Sequence, residues 1–253
     1  MPQAETNILE KIATFIRRFV FLQHDELYDL VAAWVVGTYV MDVFDYVGYI
    51  FAHSPEPQSG KSRLLEVLEL LVHKPSGILI APTEAVLFRT ADGTQLLDEV
   101  DSWRNKDELK SVLNAGFRLG GIVTRMRDED SGYKAERFPV YGPRALAGIG
   151  TKILDVTTRD RCFMVEMVRQ KKGERRERLR HRRIKPEVDE LKKSVEEWAN
   201  ANRNGIAKLY DEFDFPYLQE LRDRSIDIAQ PLATIIEVAY PAAQRLECRC
   251  RDL

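Results

Sequence analysis

The sequence has few of the features that mark secreted, metal-binding and membrane proteins. Three cysteines (Cys162, Cys248 and Cys250) are too few for a disulfide framework, which favours a reducing compartment. The four histidines are scattered without the spacing of metal ligands. The longest apolar run, at 30–41, is well short of the roughly 20 residues that cross a bilayer. We therefore expect a cytoplasmic protein without a membrane span.

The charge is almost balanced, with 38 Lys plus Arg against 40 Asp plus Glu and a net charge of −2. Such a chain has no overall field that attracts nucleic acid, so any contact with DNA must be local. The length of 253 residues, 44% of them apolar, is enough for one large domain or two small ones.

Strands and helices are predicted to alternate along the chain. Residues 1–41 have the spacing of two amphipathic helices. Short apolar runs predict strands, and segments with helical periodicity predict helices between them. The predicted strands are 46–52, 77–82, 94–101, 121–126, an interrupted strand at 137–150, and 162–168; the predicted helices are 62–73, 83–92 and 105–117. This order is typical of an α/β core with a largely parallel sheet.

The C-terminal third changes to charged residues with helical periodicity. Val188, Leu191, Val195 and Trp198 lie on one helical stripe, and a second helix is predicted at 231–239 with Pro231 in its first turn. We predict an N-terminal helical segment at 1–44, a core at 45–170 and a C-terminal helical lid at 171–253.

The strongest motif lies between the first predicted strand and the next helix, where residues 54–62 read SPEPQSGKS. Here Ser59 and Gly60 would turn backbone N–H groups toward phosphates, Lys61 would reach the β/γ oxygens, and the Ser62 hydroxyl would hold Mg²⁺. Pro55 stands where the phosphate-loop motif has its first glycine. The alternative is an ordinary surface loop with a solvated lysine.

Two acids end the predicted strand at 94–101. Asp98 would hold Mg²⁺ and Glu99 would position and deprotonate the attacking water, as in a Walker B strand. The alternative is the acidic start of a loop.

Three arginines are candidates for contact with the phosphates. Arg159 and Arg161 precede the last core strand, and either is suited to reach the ATP of a neighbouring subunit as an arginine finger. Arg224 lies in the helical lid and is predicted to sense the γ-phosphate in its own chain. For each of them, an ordinary salt-bridged arginine is the alternative.

Two basic features are candidates for nucleic-acid contact. The run 169–185 holds ten cations and two anions, which suits phosphate binding as well as a solvated helix face. Arg118 and Arg125 flank Gly120 and Gly121, a predicted hairpin turn that would project a basic tip into a central pore.

Together these motifs resemble an ATPase domain of unknown function found in phage, plasmid and genomic-island proteins. The resemblance spans 27–240 and rests on the segments at 54–62, 96–101, 113–118, 142–150, 158–161, 221–224 and 231–232. It implies an AAA+-like P-loop ATPase with a helical lid that acts as a helicase-type motor in DNA replication, as a ring-shaped homo-oligomer and with a separate primase as partner. It also implies that Pro55 is normal for the group, and that Arg161 is the finger.

The sequence thus predicts Mg²⁺-dependent ATP hydrolysis. Two other functions stay open: a P-loop kinase with a small-molecule acceptor, and a nucleotide-dependent regulator or scaffold that does not hydrolyse ATP.

Overall fold

A computed structural model describes residues 7–103, 106–129, 132–170, 176–212 and 214–240. Its described helices are α1 (Ile8–Phe19), α2 (Asp25–Gly37), α3 (Lys61–Leu71), α4 (Glu84–Arg89), α5 (Lys106–Gly116), α6 (Val156–Arg159), α7 (His181–Glu212) and α8 (Asp223–Ala239). The strands are β1 (Tyr49–Ser54), β2 (Pro75–Ile80), β3 (Thr94–Asp98), β4 (Ile122–Glu129), β5 (Gly132–Pro139), β6 (Arg144–Ile149) and β7 (Cys162–Glu166).

Five strands form a parallel sheet in the order β2-β3-β6-β1-β7. The prediction of an α/β fold with a largely parallel sheet is therefore confirmed. Strand β6 lies between β3 and β1, although it follows both of them in the chain. The carboxyl ends of β1, β3 and β6 consequently meet at one edge of the sheet.

The inner strands β1, β3 and β6 are buried on both faces, and their alternate side chains point into opposite cores. In β1, Ile50 and Ala52 pack into a core formed with α1, α2, α3, α7 and α8, whereas Tyr49 and Phe51 pack into a second core with α4 and α5. The N-terminal helices and the C-terminal helices thus share one core. Among the described residues, no helix is long and apolar enough to cross a membrane.

The predicted interrupted strand at 137–150 is divided between two sheets in the structure. Residues up to Pro139 belong to β5, which pairs with β4 as an antiparallel hairpin, and β6 enters the main sheet only from Arg144. Proline has no N–H to continue a ladder, so β5 ends there. The predicted strand at 121–126 lies in this hairpin as well, not in the parallel sheet.

Two local predictions are also corrected. The pairing of β4 with β5 runs from Ile122 opposite Pro139 to Glu129 opposite Gly132, so the hairpin does not turn at Gly120 and Gly121, which belong to a tight turn before β4. Helix α8 begins at Asp223, so Pro231 lies inside it and not in its first turn.

Candidate functional site at the carboxyl edge of the sheet

The loop between β1 and α3 wraps around the amino end of a helix. Gly60 immediately precedes α3 with φ of +93°, in the left-handed region that glycine adopts without strain. The first N–H groups of a helix have no partner inside it, and the helix end carries partial positive charge. Backbone and helix therefore offer a place for an anion.

Lys61 is folded back over this loop. Its ammonium donates to Ser54 Oγ at 2.6 Å, to the Glu56 carbonyl at 3.2 Å and to Ser59 Oγ at 3.2 Å. Only 9% of the residue is exposed. All three donors of the ammonium are thus held within the loop, while Ser62, one residue further along α3, is exposed.

The two predicted acids differ in their surroundings. Asp98 ends β3, is only 8% exposed, and its Oδ1 accepts the Glu99 N–H at 2.8 Å. Glu99 is exposed and has φ of +52° in the left-handed region, which a non-glycine residue rarely adopts. Strained backbone of this kind is concentrated at functional sites. The chain therefore presents one sheltered and one solvent-facing carboxylate at the same edge.

A third carboxylate, Asp101, was not among the predicted site residues. Its Oδ1 accepts the Ile149 N–H at 2.9 Å, so it lies against the carboxyl end of β6. The Gly150 N–H just beyond donates to the Ser54 carbonyl at 2.8 Å, which ties that end of β6 to the start of the loop. The acids of residues 98–101 are recognisable in the sequence, but only the fold shows that Asp101 is the one bonded to the end of β6.

The lysine and the acids act on each other electrostatically. Burial lowers the pKa of Lys61, and the carboxylates of Asp101 and Asp98 partly oppose this shift. Neighbouring strands are about 4.8 Å apart, so β1 and β3, with β6 between them, are separated by about 10 Å. The structure thus brings together Ser59, Gly60, Lys61, Ser62, Asp98 and Glu99 around one edge.

The predicted arginines lie at the other edge. The Arg161 carbonyl accepts the N–H of Tyr49, the first residue of β1, at 2.9 Å. Five residue steps along β1 place this point about 17 Å from Ser54. Arg159 precedes it in α6. None of these backbone positions is near the loop of the same chain.

Arg224 lies with Arg161, and the prediction that it contacts phosphate in its own chain has no support in this arrangement. Helix α8 packs beside the amino ends of β1 and β7, where a Cβ on Gly48 would meet Ile228 at 3.0 Å and Phe163 at 2.4 Å. Its first turn, which carries Arg224, is therefore held at the edge opposite to Lys61.

A cavity of about 660 Å³ adjoins the loop on the side of β7. The loop contributes Gln58, Ser59 and Gly60, and the rest comes from the end of α1, from α3 and from the segment between β7 and α7. These further lining residues are Phe19, Val20, Phe21, Arg63, Arg169, Gln170, Arg176, Glu177 and Arg178. Four arginines face one carboxylate, so the cavity is positively charged. Part of the run predicted to bind nucleic acid therefore lines this cavity.

Contacts within the cavity hold two of these arginines in place. Arg169 donates to Gln58 Oε1 at 2.9 Å, and the Arg176 guanidinium lies 5.4 Å from the centre of the Phe21 ring. The Arg176 Nε is buried without a hydrogen-bond partner among the described residues.

The oxygen donors at the carboxyl edge fit Mg²⁺. This ion usually keeps several waters and takes only one or two protein oxygens besides phosphate. Ser62 and the sheltered Asp98 are such donors. The described part of the chain has no cluster of three or more His, Cys, Asp or Glu that would form an all-protein metal site.

Comparison with protein-family models gives a match. The model of a family described as "Protein of unknown function (DUF3631)" matches residues 166–250, which begin at the end of β7 and include α7 and α8. The phosphate-loop segment and the acids of β3 lie outside this match. No curated protein matches the chain.

Proposed function

We propose that this chain is a Mg²⁺-dependent ATPase with a P-loop, AAA+-like core and a helical lid. The observation that carries the proposal is the position of Lys61. It is buried at the start of α3, directly after Gly60 in the left-handed region, and it interacts electrostatically with Asp101 and Asp98 across the end of β6. A lysine and carboxylates at this separation suit a triphosphate and its ion between them.

In this proposal Lys61 exchanges its loop oxygens for the β- and γ-phosphates, and the free N–H groups at the start of α3 bind the same oxygens. Ser62 and Asp98 would hold Mg²⁺, which supplies charge neutralisation on the phosphate oxygens. Asp101 keeps its hydrogen bond to the Ile149 N–H and its attraction for Lys61.

Glu99 is the proposed base because it is the solvent-facing carboxylate of the pair. It accepts a proton from water while the water oxygen attacks the γ-phosphorus and the bond to the β–γ bridging oxygen breaks. ADP leaves with the bridging oxygen, inorganic phosphate carries the new oxygen, and the proton passes from Glu99 to solvent.

The arginine-lined cavity beside Gln58 and Gly60 is the proposed place of the nucleoside. It opens directly onto the loop, and its Phe21 ring offers an aromatic surface to a base. The region matched by the family of unknown function supplies Arg169, Arg176 and Arg178 to it.

We further propose a ring-shaped homo-oligomer that moves on DNA, in which Arg161 completes the site of a neighbouring subunit. One face of the β4–β5 hairpin is exposed and carries Met126, at 63% exposure, together with Thr124 and Arg137. Apolar and basic side chains on a protruding hairpin suit bases and phosphates of a single strand. By resemblance this motor serves replication of a phage or mobile element, with a separate primase as partner.

The test is ATP hydrolysis by the purified chain with and without single-stranded DNA. Lys61→Ala should abolish turnover, whereas Lys193→Ala, which removes an exposed lysine of α7, should not. Glu99→Gln should bind ATP and fail to hydrolyse it. Turnover that is insensitive to Lys61→Ala would refute the proposal.

The same assay separates the rival functions. ADP release that needs a nucleoside or sugar acceptor, and not water, would indicate a kinase. ATP binding by the wild type without turnover at any protein or DNA concentration would indicate a regulator or scaffold.

A further inference from the structure

Two arginines lie against one phenylalanine ring at the edge of the sheet opposite to the loop. Phe117 follows α5 and is 4% exposed. The guanidinium carbon of Arg161 lies 4.5 Å from its ring centre, and that of Arg224 lies 4.7 Å from it. Tyr46 stacks on the same ring, with 5.5 Å between the centres and 27° between the planes. Residues from three distant parts of the chain thus hold two cations side by side.

No ion pair among the described residues neutralises either cation. The Arg161 Nε is buried without a hydrogen-bond partner there, and another nitrogen of the same side chain donates to the Thr157 carbonyl. Burial and the charge of Arg224 lower the pKa of Arg161, in spite of Asp155 and Asp160 nearby. Interaction with the ring offsets only part of this repulsion.

Two arginines that share one platform and form no ion pair among the described residues suit an anion, even with Asp155, Asp160 and Asp227 in their surroundings. Guanidinium groups bind phosphate oxygens in a planar, bidentate manner, which lysine does not. The backbone at Arg161 lies about 17 Å along β1 from Ser54, so the pair is remote from an anion bound at the loop of its own chain.

Building on the proposed ATPase, we infer that Arg161 and Arg224 act together on the triphosphate bound by a neighbouring copy of the chain, with Phe117 as the residue that positions both. The two edges of the sheet then face each other in a head-to-tail interface, which generates a ring when the rotation closes. Arg224 serves the neighbour's nucleotide and not its own.

A mixing experiment distinguishes action on the neighbour from action within the chain. Lys61→Ala lacks a working loop but keeps both arginines, whereas Arg224→Ala keeps the loop and lacks one arginine. Lys61→Ala alone should have no turnover, and Arg224→Ala alone should lose about 1,000-fold or more, the range of an arginine finger. In a 1:1 mixture, half of the loops are intact and half of their neighbours carry Arg224, so about one quarter of wild-type activity should return.

Arg222→Ala is the matched control, because it removes an exposed arginine two residues earlier and should leave turnover unchanged. Phe117→Leu should lower kcat about 10-fold or more with little change in ATP affinity, since it removes the ring that aligns both guanidinium groups. The unfolding midpoint of this variant is measured separately, and mixing it with Lys61→Ala should restore activity even if its stability is lower.

Several results would overturn the inference. Arg224→Ala with normal turnover, or a mixture no more active than its two parents while Arg161→Ala does complement Lys61→Ala, would exclude action on the neighbour. Loss of DNA stimulation by Arg224→Ala with normal DNA-free turnover would assign the pair to backbone phosphates of nucleic acid. A wild-type chain without any Lys61-dependent turnover would instead refute the proposed function itself.

Discussion

Replacement of Arg144 is expected to destabilise the sheet at the point where its central strand begins. Arg144 is completely buried at the start of β6 and has no carboxylate partner among the described residues. It donates to Gln95 Oε1 at 2.7 Å, the Tyr49 hydroxyl at 2.9 Å, the Gly142 carbonyl at 3.0 Å and the Val140 carbonyl at 2.7 Å. One side chain thus joins β3, β1 and the end of the hairpin.

The magnitude follows from which partners lose their only donor. In Arg144→Met, the buried carbonyls of Val140 and Gly142 and the Oε1 of buried Gln95 are left without this side-chain donor, at about 1–3 kcal/mol each. Tyr49 keeps its bond to the Leu113 carbonyl at 2.8 Å, and burial raises its pKa to about 12, so that hydroxyl remains a donor. Removing a buried charge offsets part of the loss. We expect a net loss of about 3 kcal/mol in the free energy of unfolding.

The assay is urea unfolding monitored by tryptophan fluorescence and circular dichroism. The free energies of unfolding are compared between variants whose dependence on urea concentration (the m value) is the same. Arg144→Lys should be no better than methionine, because a compact ammonium cannot reach acceptors on four sides. Arg118→Met, which removes an exposed arginine, should stay within about 0.5 kcal/mol of wild type. A shift for Arg144→Met as small as that of this control would refute the argument.

Three further predictions concern the loop, the acids and a helix cap. Gly60→Ala should weaken binding of a fluorescent ATP analogue about 10-fold, since a side chain at positive φ costs about 1–2 kcal/mol, whereas Gly205→Ala, which meets no atom within 4 Å, should not. Asp101→Asn removes a charge that raises the pKa of Lys61, so the alkaline limb of the pH–turnover profile should move to lower pH. Burial raises the pKa of Asp155, but hydrogen bonds from two threonines of α6 have the larger combined effect and lower this pKa to about 2. Its contribution to stability is therefore present above about pH 4 and lost as the pH falls toward 2, so Asp155→Asn should flatten the acid limb of the unfolding curve.

The parallel sheet and the loop could be predicted because their signals are local. A strand followed by glycine, lysine and serine and then by a helical stripe fixes the loop at 54–61 without knowledge of any distant partner. The apolar runs at β1, β3 and β7 have the composition of strands buried on both faces. The acids at Asp98 and Glu99 could be predicted in the same way, since they directly follow the apolar residues of a strand-like segment.

Pairing between distant segments could not be predicted in the same way. The chain at 137–150 has strand character throughout, but only contacts with residues 122–129 divide it between the hairpin and the sheet. The side of the sheet on which Arg224 lies depends on how α8 packs against Gly48 and Phe163. The part played by Asp101 depends on the register that brings Ile149 beside it. None of these relations leaves a periodic trace in the sequence.

The position of the loop and the arginines at opposite ends of β1 limits how subunits of the proposed ring can communicate. The Tyr49 N–H is bonded to Arg161 at one end of the strand, and the Ser54 carbonyl is bonded to Gly150 at the other. A hydrogen-bonded central strand cannot lengthen, so loop and arginines keep their separation while the sheet moves as one body. A change at the nucleotide of one subunit must therefore reach the next by rotation of the whole core across the shared interface, as in other rigid-body transitions. On this reasoning, substitutions at the surface of α6 or at the start of α8 should change the cooperativity of ATP turnover more than its affinity for ATP.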